Sequence, residues 1–263
     1  MSERPGMIDP LYSLSGFFVG MIVGLTGVGG GSLMTPLLIL LFGVHPTTAV
    51  GTDLLFAAAT KTVGSTIHGF HNSISWKVVT LLAMGSVPGA AVTLWILSHT
   101  TGVGAETARW ISVTLGIMLV LTAISIIFRK QLMNYARRSA GPSRLKRIVL
   151  TITFGLVIGV LVSISSIGAG AIGVTVLLML YPKMPMLRVV ATDLAHAVPL
   201  TLVAGLGHWI IGNVDWIMLV SLLLGSVPGI MIASHFAPRV PEAAIRWILS
   251  TVLVIVGLKL VLS

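Results

Sequence analysis

Two aspartates stand inside long apolar stretches of this chain, at matching places in its two halves. Asp53 lies in "GTDLL" and Asp193 lies in "ATDLA". A charged group at the centre of a bilayer costs on the order of 3 kcal/mol even on lenient insertion scales, so it usually faces a partner or water. The pair therefore predicts one of two roles: a direct part in solute transport or proton coupling, or the capping of the helices that carry it.

Basic and hydrogen-bonding side chains share helical faces with these aspartates. At 100° per residue, Lys61 and His68 fall in the same sector of a helix as Asp53. We expect Lys61 to attract an anion. Hydrogen bonds to that anion are expected from His68, His208, Thr52 and Thr192. The aspartates and His196 are then assigned to proton coupling or to holding their neighbours. The corresponding face of the second half carries Asp193, His196, Thr201 and His208.

Clusters of glycine interrupt the first apolar stretch of each half. Glycine costs a helix about 1 kcal/mol per residue relative to alanine, so "GVGGGS" (27–32) predicts a break. Non-helical backbone at membrane depth persists where it is buried in protein or lines a polar cavity. The restarting helix, capped by Ser32 or by Thr35 before Pro36, would present N–H groups that favour an anion; close helix packing is the alternative role for the glycines. The predicted anion-binding backbone comprises Gly29, Gly30, Gly31, Ser32, Gly168 and Gly170.

Apolar runs long enough to cross a bilayer must position these residues. The chain is 56% hydrophobic and 9% charged, and its mean hydropathy of +1.04 lies far above that of soluble domains. We therefore expect an all-α polytopic membrane protein. The chain has no cysteine, which excludes disulfides and thiolate metal sites, and we expect neither a metal nor a cofactor. Eight runs approach or exceed the roughly 20 residues of a transmembrane helix: 13–42, 48–70, 77–98, 108–128, 148–180, 187–211, 216–236 and 244–263.

The chain repeats itself. A shift of 140 residues places "GSVPG" at 85–89 on the identical "GSVPG" at 225–229. We interpret this motif as a packing and kink device, since proline and small residues permit close or bent helices. Two such halves are the usual plan of a secondary transporter, with the substrate site at their interface. The predicted parts are a first repeat (1–128), a basic linker (129–147) and a second repeat (148–263).

The distribution of positive charge favours halves of inverted topology. If every run spans, about two thirds of the Lys and Arg residues outside the membrane lie on one face, which is only a weak bias. If 13–42 and 148–180 instead dip in, break and return, each half keeps three transmembrane helices after a re-entrant segment. The linker, with seven of the sixteen Lys and Arg residues, then shares one face with most other cations. The positive-inside rule prefers this second model, with a cytoplasmic linker and both termini outside.

Other functions fit the residues less well. A nucleotide-binding loop needs a strand before its glycines and Gly-Lys-Ser/Thr after them, and neither is present. A cation or transition-metal permease could use Asp53 with His68, and Asp193 with His208, as ligands, but Lys61 on the same face argues against it. An intramembrane hydrolase would use Ser165 or Ser166 with a histidine, without any surrounding nucleophile motif. The net charge of +9 reflects the linker, so nucleic acid is not an expected partner.

The order of these motifs resembles the sulfite exporter TauE/SafE family of membrane permeases. The resemblance rests on "GVGGGSLMTPLL", then "AVGTDLL", then a histidine followed by Trp-Lys at the start of the next helix. After the basic linker the second half repeats this order as "ATDLA", "GLGH" and "GNVDW". It implies a secondary transporter, not an enzyme, that moves a sulfur-containing anion such as sulfite, thiosulfate or an organosulfonate across the bacterial inner membrane. The lipid bilayer and that anion are the expected partners, and a homodimer is a possible assembly.

Overall fold

Every regular element in the described part of the chain is an α-helix, which confirms the predicted class. The computed structural model describes residues 10–26, 31–70, 74–99, 105–138, 142–236 and 242–262. The helices are α1 (Pro10–Thr26), α2 (Gly31–Phe42), α3 (Pro46–Phe70), α4 (Trp76–His99), α5 (Ala105–Arg138), α6 (Arg144–Ser165), α7 (Ala171–Leu180), α8 (Met186–Ile210), α9 (Trp216–Phe236) and α10 (Glu242–Leu262).

The molecule has the dimensions and surface of a multi-pass membrane protein. Among the described residues, five helical stretches are long and apolar enough to cross a bilayer, and four further apolar helices are shorter. Many large apolar side chains stand exposed on the outside, such as Leu41 at 75% and Met231 at 69%. In water this surface would be costly, whereas lipid accommodates it.

The first apolar run of each half is broken into two helices, as the glycines predict. In the second half α6 ends at Ser165 and α7 begins at Ala171. Between them Gly168 and Gly170 have φ of 131° and 140°, which L side chains rarely adopt. In the first half α2 begins at Gly31. Ser32 and Thr35 therefore lie inside the helix, and the prediction that one of them is its N-cap is wrong.

Each broken run returns to the level at which it began. The ring of Tyr12 at the start of α1 lies 4.6 Å from that of Phe42 at the end of α2. In the second half the hydroxyls of Thr151 in α6 and Tyr181 after α7 are 3.0 Å apart. At 1.5 Å per residue, the path from Thr151 to Ser165 extends about 21 Å before the chain turns back. We call α1–α2 the first hairpin and α6–α7 the second hairpin.

The two halves are interlocked. The first helix of each half packs along the fourth helix of the other, α1 on α9 and α6 on α4, while α3 pairs with α8 and α5 with α10. Glycines permit the crossings: a Cβ at Gly89 would lie 2.7 Å from the Leu156 carbonyl oxygen, and one at Gly20 would lie 2.5 Å from that of Ser226. Both "GSVPG" copies lie at these crossings, which confirms their packing role.

Contacts between the halves bear on the topology. The main-chain N–H of Asp215, before α9, donates to Thr52 near the start of α3. That of Ser75, before α4, donates to Thr192 near the start of α8. Eight simple crossings would put the two members of each pair on opposite faces of the membrane, whereas returning hairpins put them on the same face. The contacts favour the second model, and the inversion of the halves in a bilayer stays a prediction.

Helices extend into the predicted linker from both sides. Helix α5 continues to Arg138 and α6 begins at Arg144, so most of 129–147 is helical. The basic residues there are therefore largely carried on helix ends. The division into repeats at these boundaries otherwise stays a prediction.

Candidate solute site at the helix breaks

Asp53 reaches from α3 to the first hairpin. It is fully buried, and its Oδ2 accepts a hydrogen bond from the hydroxyl of Thr35 in α2. Asp53 lies seven residues beyond Pro46, the first residue of α3, and is therefore too far along to cap its own helix. The capping role considered for the aspartates is wrong for α3, because the carboxylate serves a neighbouring element instead.

Asp193 holds the matching position against the second hairpin. It is 4% exposed in α8, and its carboxylate interacts with the main-chain N–H of Gly170, where α7 restarts. Gly173 in the first turn of α7 packs so closely on this carboxylate that any side chain there would collide with it. Asp193, like Asp53, lies well inside its own helix, so own-helix capping is wrong for it too.

Lys61 is a buried cation that interacts with both carboxylates. It is 3% exposed in α3, and its Nζ donates a hydrogen bond of 3.3 Å to the carbonyl oxygen of Ala169, inside the second break. It interacts electrostatically with both Asp193 and Asp53. The sequence placed Lys61 and Asp53 on one helical face, and the structure adds a break and a second carboxylate from the other half.

Two buried polar groups at this junction are poorly satisfied. Asp53 Oδ1 and the Ser166 hydroxyl are buried and neither makes a hydrogen bond of good geometry, but they lie close enough for the hydroxyl to donate to the carboxylate. Ser166 also has a left-handed backbone, with φ of 59°. Folded proteins rarely leave such atoms unsatisfied. We define Thr35, Asp53, Lys61, Ser166, Ala169 and Asp193 as the junction site.

The two predicted threonines are engaged elsewhere. The hydroxyls of Thr52 and Thr192 accept the cross-half hydrogen bonds from Asp215 and Ser75, at 3.1 and 3.0 Å. The Thr192 hydroxyl also donates to the Arg188 carbonyl in its own helix. These contacts tie helix starts across the halves, and a direct substrate contact for either threonine stays a prediction.

The histidines of α8 bond to neighbouring helices. His196 Nε2 lies 2.8 Å from the Ser86 hydroxyl in α4, and His208 Nε2 lies 2.9 Å from the Ser163 carbonyl oxygen in α6. His208 Nδ1 is buried without a partner. His68 lies in α3, but its side chain is outside the described part of the chain.

The backbone groups predicted to bind the anion lie at the two helix breaks. Gly29 and Gly30 lie outside the described residues, while Gly31 begins α2 and the side chain of Ser32 is not described. Gly168 and Gly170 lie in the second break beside Ala169, as predicted. Sequence reasoning missed Thr35 as a site member, and it considered Ser166 only as a nucleophile.

Neither alternative chemistry is assembled among the described residues. No group of three or more His, Asp or Glu side chains there could hold a metal ion. Ser165 donates to the main-chain carbonyls of Leu161 and Ile167 rather than to a histidine. The hydrolase and metal-ligand hypotheses therefore receive no geometric support from the described side chains.

Comparison with known proteins identifies a family of membrane transporters. The family model "Sulfite exporter TauE/SafE" matches residues 12–260. The chain is 40% identical over 251 residues to "Probable membrane transporter protein YjnA" of Bacillus subtilis, covering 94% of this chain and 98% of that relative. It is 26% identical over 278 residues to "Probable membrane transporter protein MJ0441" of Methanocaldococcus jannaschii, covering 97% and 96%.

No solved structure matches the chain. The family model nonetheless spans almost all of it, and the relatives are covered nearly end to end. The chain belongs to the sulfite exporter TauE/SafE family of membrane transporters.

Proposed function

We propose that the protein carries a small sulfur-containing oxyanion, such as sulfite, thiosulfate or an organosulfonate, across the bacterial inner membrane by alternating access. The observation that carries the proposal is the junction site. A buried lysine, two buried carboxylates and a buried serine hydroxyl lie there at a helix break, the arrangement expected where a polar solute is held at membrane depth. Lys61 supplies the positive charge, and the Ser166 hydroxyl supplies a hydrogen bond.

The carboxylates suggest how binding would be coupled to protons. Asp53 and Asp193 both interact electrostatically with Lys61. An anion entering beside two ionised carboxylates would be repelled, so its binding is easiest when one of them has taken up a proton. The proposal therefore includes movement of a proton together with the anion. On this basis anion uptake rises as the pH falls on the side from which the anion enters.

A flux measurement tests the role of Lys61. Purified Lys61→Ala in proteoliposomes should lose labelled sulfite or thiosulfate flux by about tenfold or more, because it removes a charge-assisted contact in a low-dielectric site. The matched control is Lys77→Ala, which deletes an exposed cation at the start of α4. Equal flux from the two variants, both correctly reconstituted, would remove Lys61 from the anion path.

A cation permease is the second candidate, because the junction site holds two carboxylates against one lysine. Carboxylates suit cations, and Lys61→Ala would then leave a net acidic pocket. The same vesicles distinguish the candidates when assayed with labelled sodium and with a divalent cation. If the native protein transports a cation faster than it transports sulfite or thiosulfate, the result favours a cation permease.

A further inference from the structure

A cavity lined by other residues than the junction site lies at the base of the second hairpin. It has a volume of about 360 Å³ and lies where α6 begins, α7 ends and α8 begins. Three of its lining residues are cations, Arg147, Lys183 and Arg188, and none of those lining residues is acidic. We call it the basic cleft. Its size lies within the range of small-ligand sites.

One cation of the basic cleft is held in place. The Arg147 guanidinium lies 5.4 Å from the centre of the Tyr181 ring, and the Tyr181 hydroxyl is held by Thr151 at 3.0 Å. Stacking on an aromatic face fixes the plane of a guanidinium while its N–H groups stay available to an oxyanion. Lys183 and Arg188 complete the rim with exposed side chains.

The exit of the first hairpin lacks the cations that line the basic cleft. This segment, from Gly31 through Thr48, contains no Lys or Arg, whereas residues 181–188 contain two. The basic cleft is therefore not a by-product of the repeat. Apolar side chains also stand exposed beside it, including Leu145 at 74% and Leu187 at 59%. A basic pocket with exposed apolar neighbours is the combination expected at a membrane surface.

We propose that the basic cleft binds an oxyanion through Arg147, Lys183 and Arg188, separately from the junction site. The chemistry fits a phosphate, sulfate or sulfonate group, which accepts hydrogen bonds from a guanidinium fork and an ammonium together. The group has two sources, the headgroup of an anionic lipid or a free oxyanion in solution. The inference does not depend on the proposed function, because binding is measured without transport.

Charge-matched double variants test the cleft. Lys183→Gln/Arg188→Gln removes two exposed cations that line it, and Arg144→Gln/Lys146→Gln removes two exposed cations of the adjacent first turn of α6 that do not. The native protein and both double variants carry the full chain, and all four substituted side chains are exposed. Arg147→Lys is a further variant that keeps the positive charge but loses the planar guanidinium N–H donors.

Two assays identify the source of the oxyanion. Thermal shift in detergent follows sulfate and phosphate against chloride at constant ionic strength, and native mass spectrometry counts phosphatidylglycerol retained against phosphatidylcholine. We expect the native protein and the Arg144/Lys146 variant to respond in at least one assay. The Lys183/Arg188 variant should bind roughly tenfold more weakly in that assay.

The pattern of responses decides the outcome. A response to sulfate or phosphate alone assigns a free oxyanion, a response to phosphatidylglycerol alone assigns a lipid headgroup, and both assign the shared chemistry. Equal loss in the two charge-matched variants would overturn the proposal, because general surface charge would then explain the binding. A native protein that responds in neither assay would overturn it as well.

Discussion

At the scale of single residues, the junction site depends on contacts that sequence periodicity does not contain. The apolar context marked Asp53, Lys61 and Asp193 correctly as unusual. Their partners lie far away in the chain, as with Lys61 and Ala169, which are 108 residues apart. The role of Asp193 also depends on a glycine, because Gly173 leaves room for its carboxylate.

Gly173→Ala tests that packing. The added methyl group would meet the Asp193 carboxylate, so we expect a loss of about 1–3 kcal/mol in stability, seen as a lower thermal midpoint in detergent. The control is Gly207→Ala in α8, whose nearest neighbour is the Leu94 side chain, which can rotate away. A midpoint for Gly173→Ala as high as that of the control would show that Asp193 does not pack on α7 in this way.

At the scale of elements, the broken runs were the most informative prediction. Glycine content indicated both breaks, and the structure places α1–α2 and α6–α7 there as hairpins whose ends meet. Most helix bounds follow the apolar runs closely, because the length of a membrane-crossing helix is set by the length of its apolar stretch. The extension of α5 to Arg138 escaped prediction, since polar and basic residues are equally compatible with helix or linker.

Cysteine labelling tests the direction of the two hairpins. The native chain has no cysteine, so His45→Cys after the first hairpin and Lys183→Cys after the second each carry a single thiol. If the halves are inverted, a membrane-impermeant maleimide should label the two positions from opposite sides of oriented vesicles. Labelling of both from one side would instead indicate parallel halves, and Ser98→Cys serves as an exposed reference at the end of α4.

At the scale of the whole molecule, the interlocked halves constrain the transport motion. Sequence repetition suggested that one repeat rocks against the other. The structure packs α1 on α9 and α6 on α4, so the sequence halves cannot separate without breaking their closest glycine crossings. The bodies that move are therefore expected to combine helices of both halves. Sequence repetition indicates two units, but it does not indicate which helix packs on which, because that depends on the three-dimensional structure.

A cross-link tests this expectation. The Ser13 hydroxyl in α1 lies 2.9 Å from the Ser221 carbonyl oxygen in α9. A short reagent that joins Ser13→Cys to Ser221→Cys should leave anion flux within about twofold of the unlinked double variant, because α1 and α9 move as one body. Each single variant treated with the same reagent is the control. Flux that stops on linking and recovers on cleavage would mean that α1 and α9 separate during transport.

The central claim is that a solute anion is held between the helix breaks beside Lys61. Crystals grown with selenite, the selenium analogue of sulfite, test it by anomalous scattering, and the absence of cysteine leaves no thiol for selenite to oxidise. The account predicts a selenium peak within hydrogen-bond reach of Lys61 Nζ and the Ser166 hydroxyl. Selenium found only in the basic cleft, with the junction site empty under conditions that support flux, would contradict it.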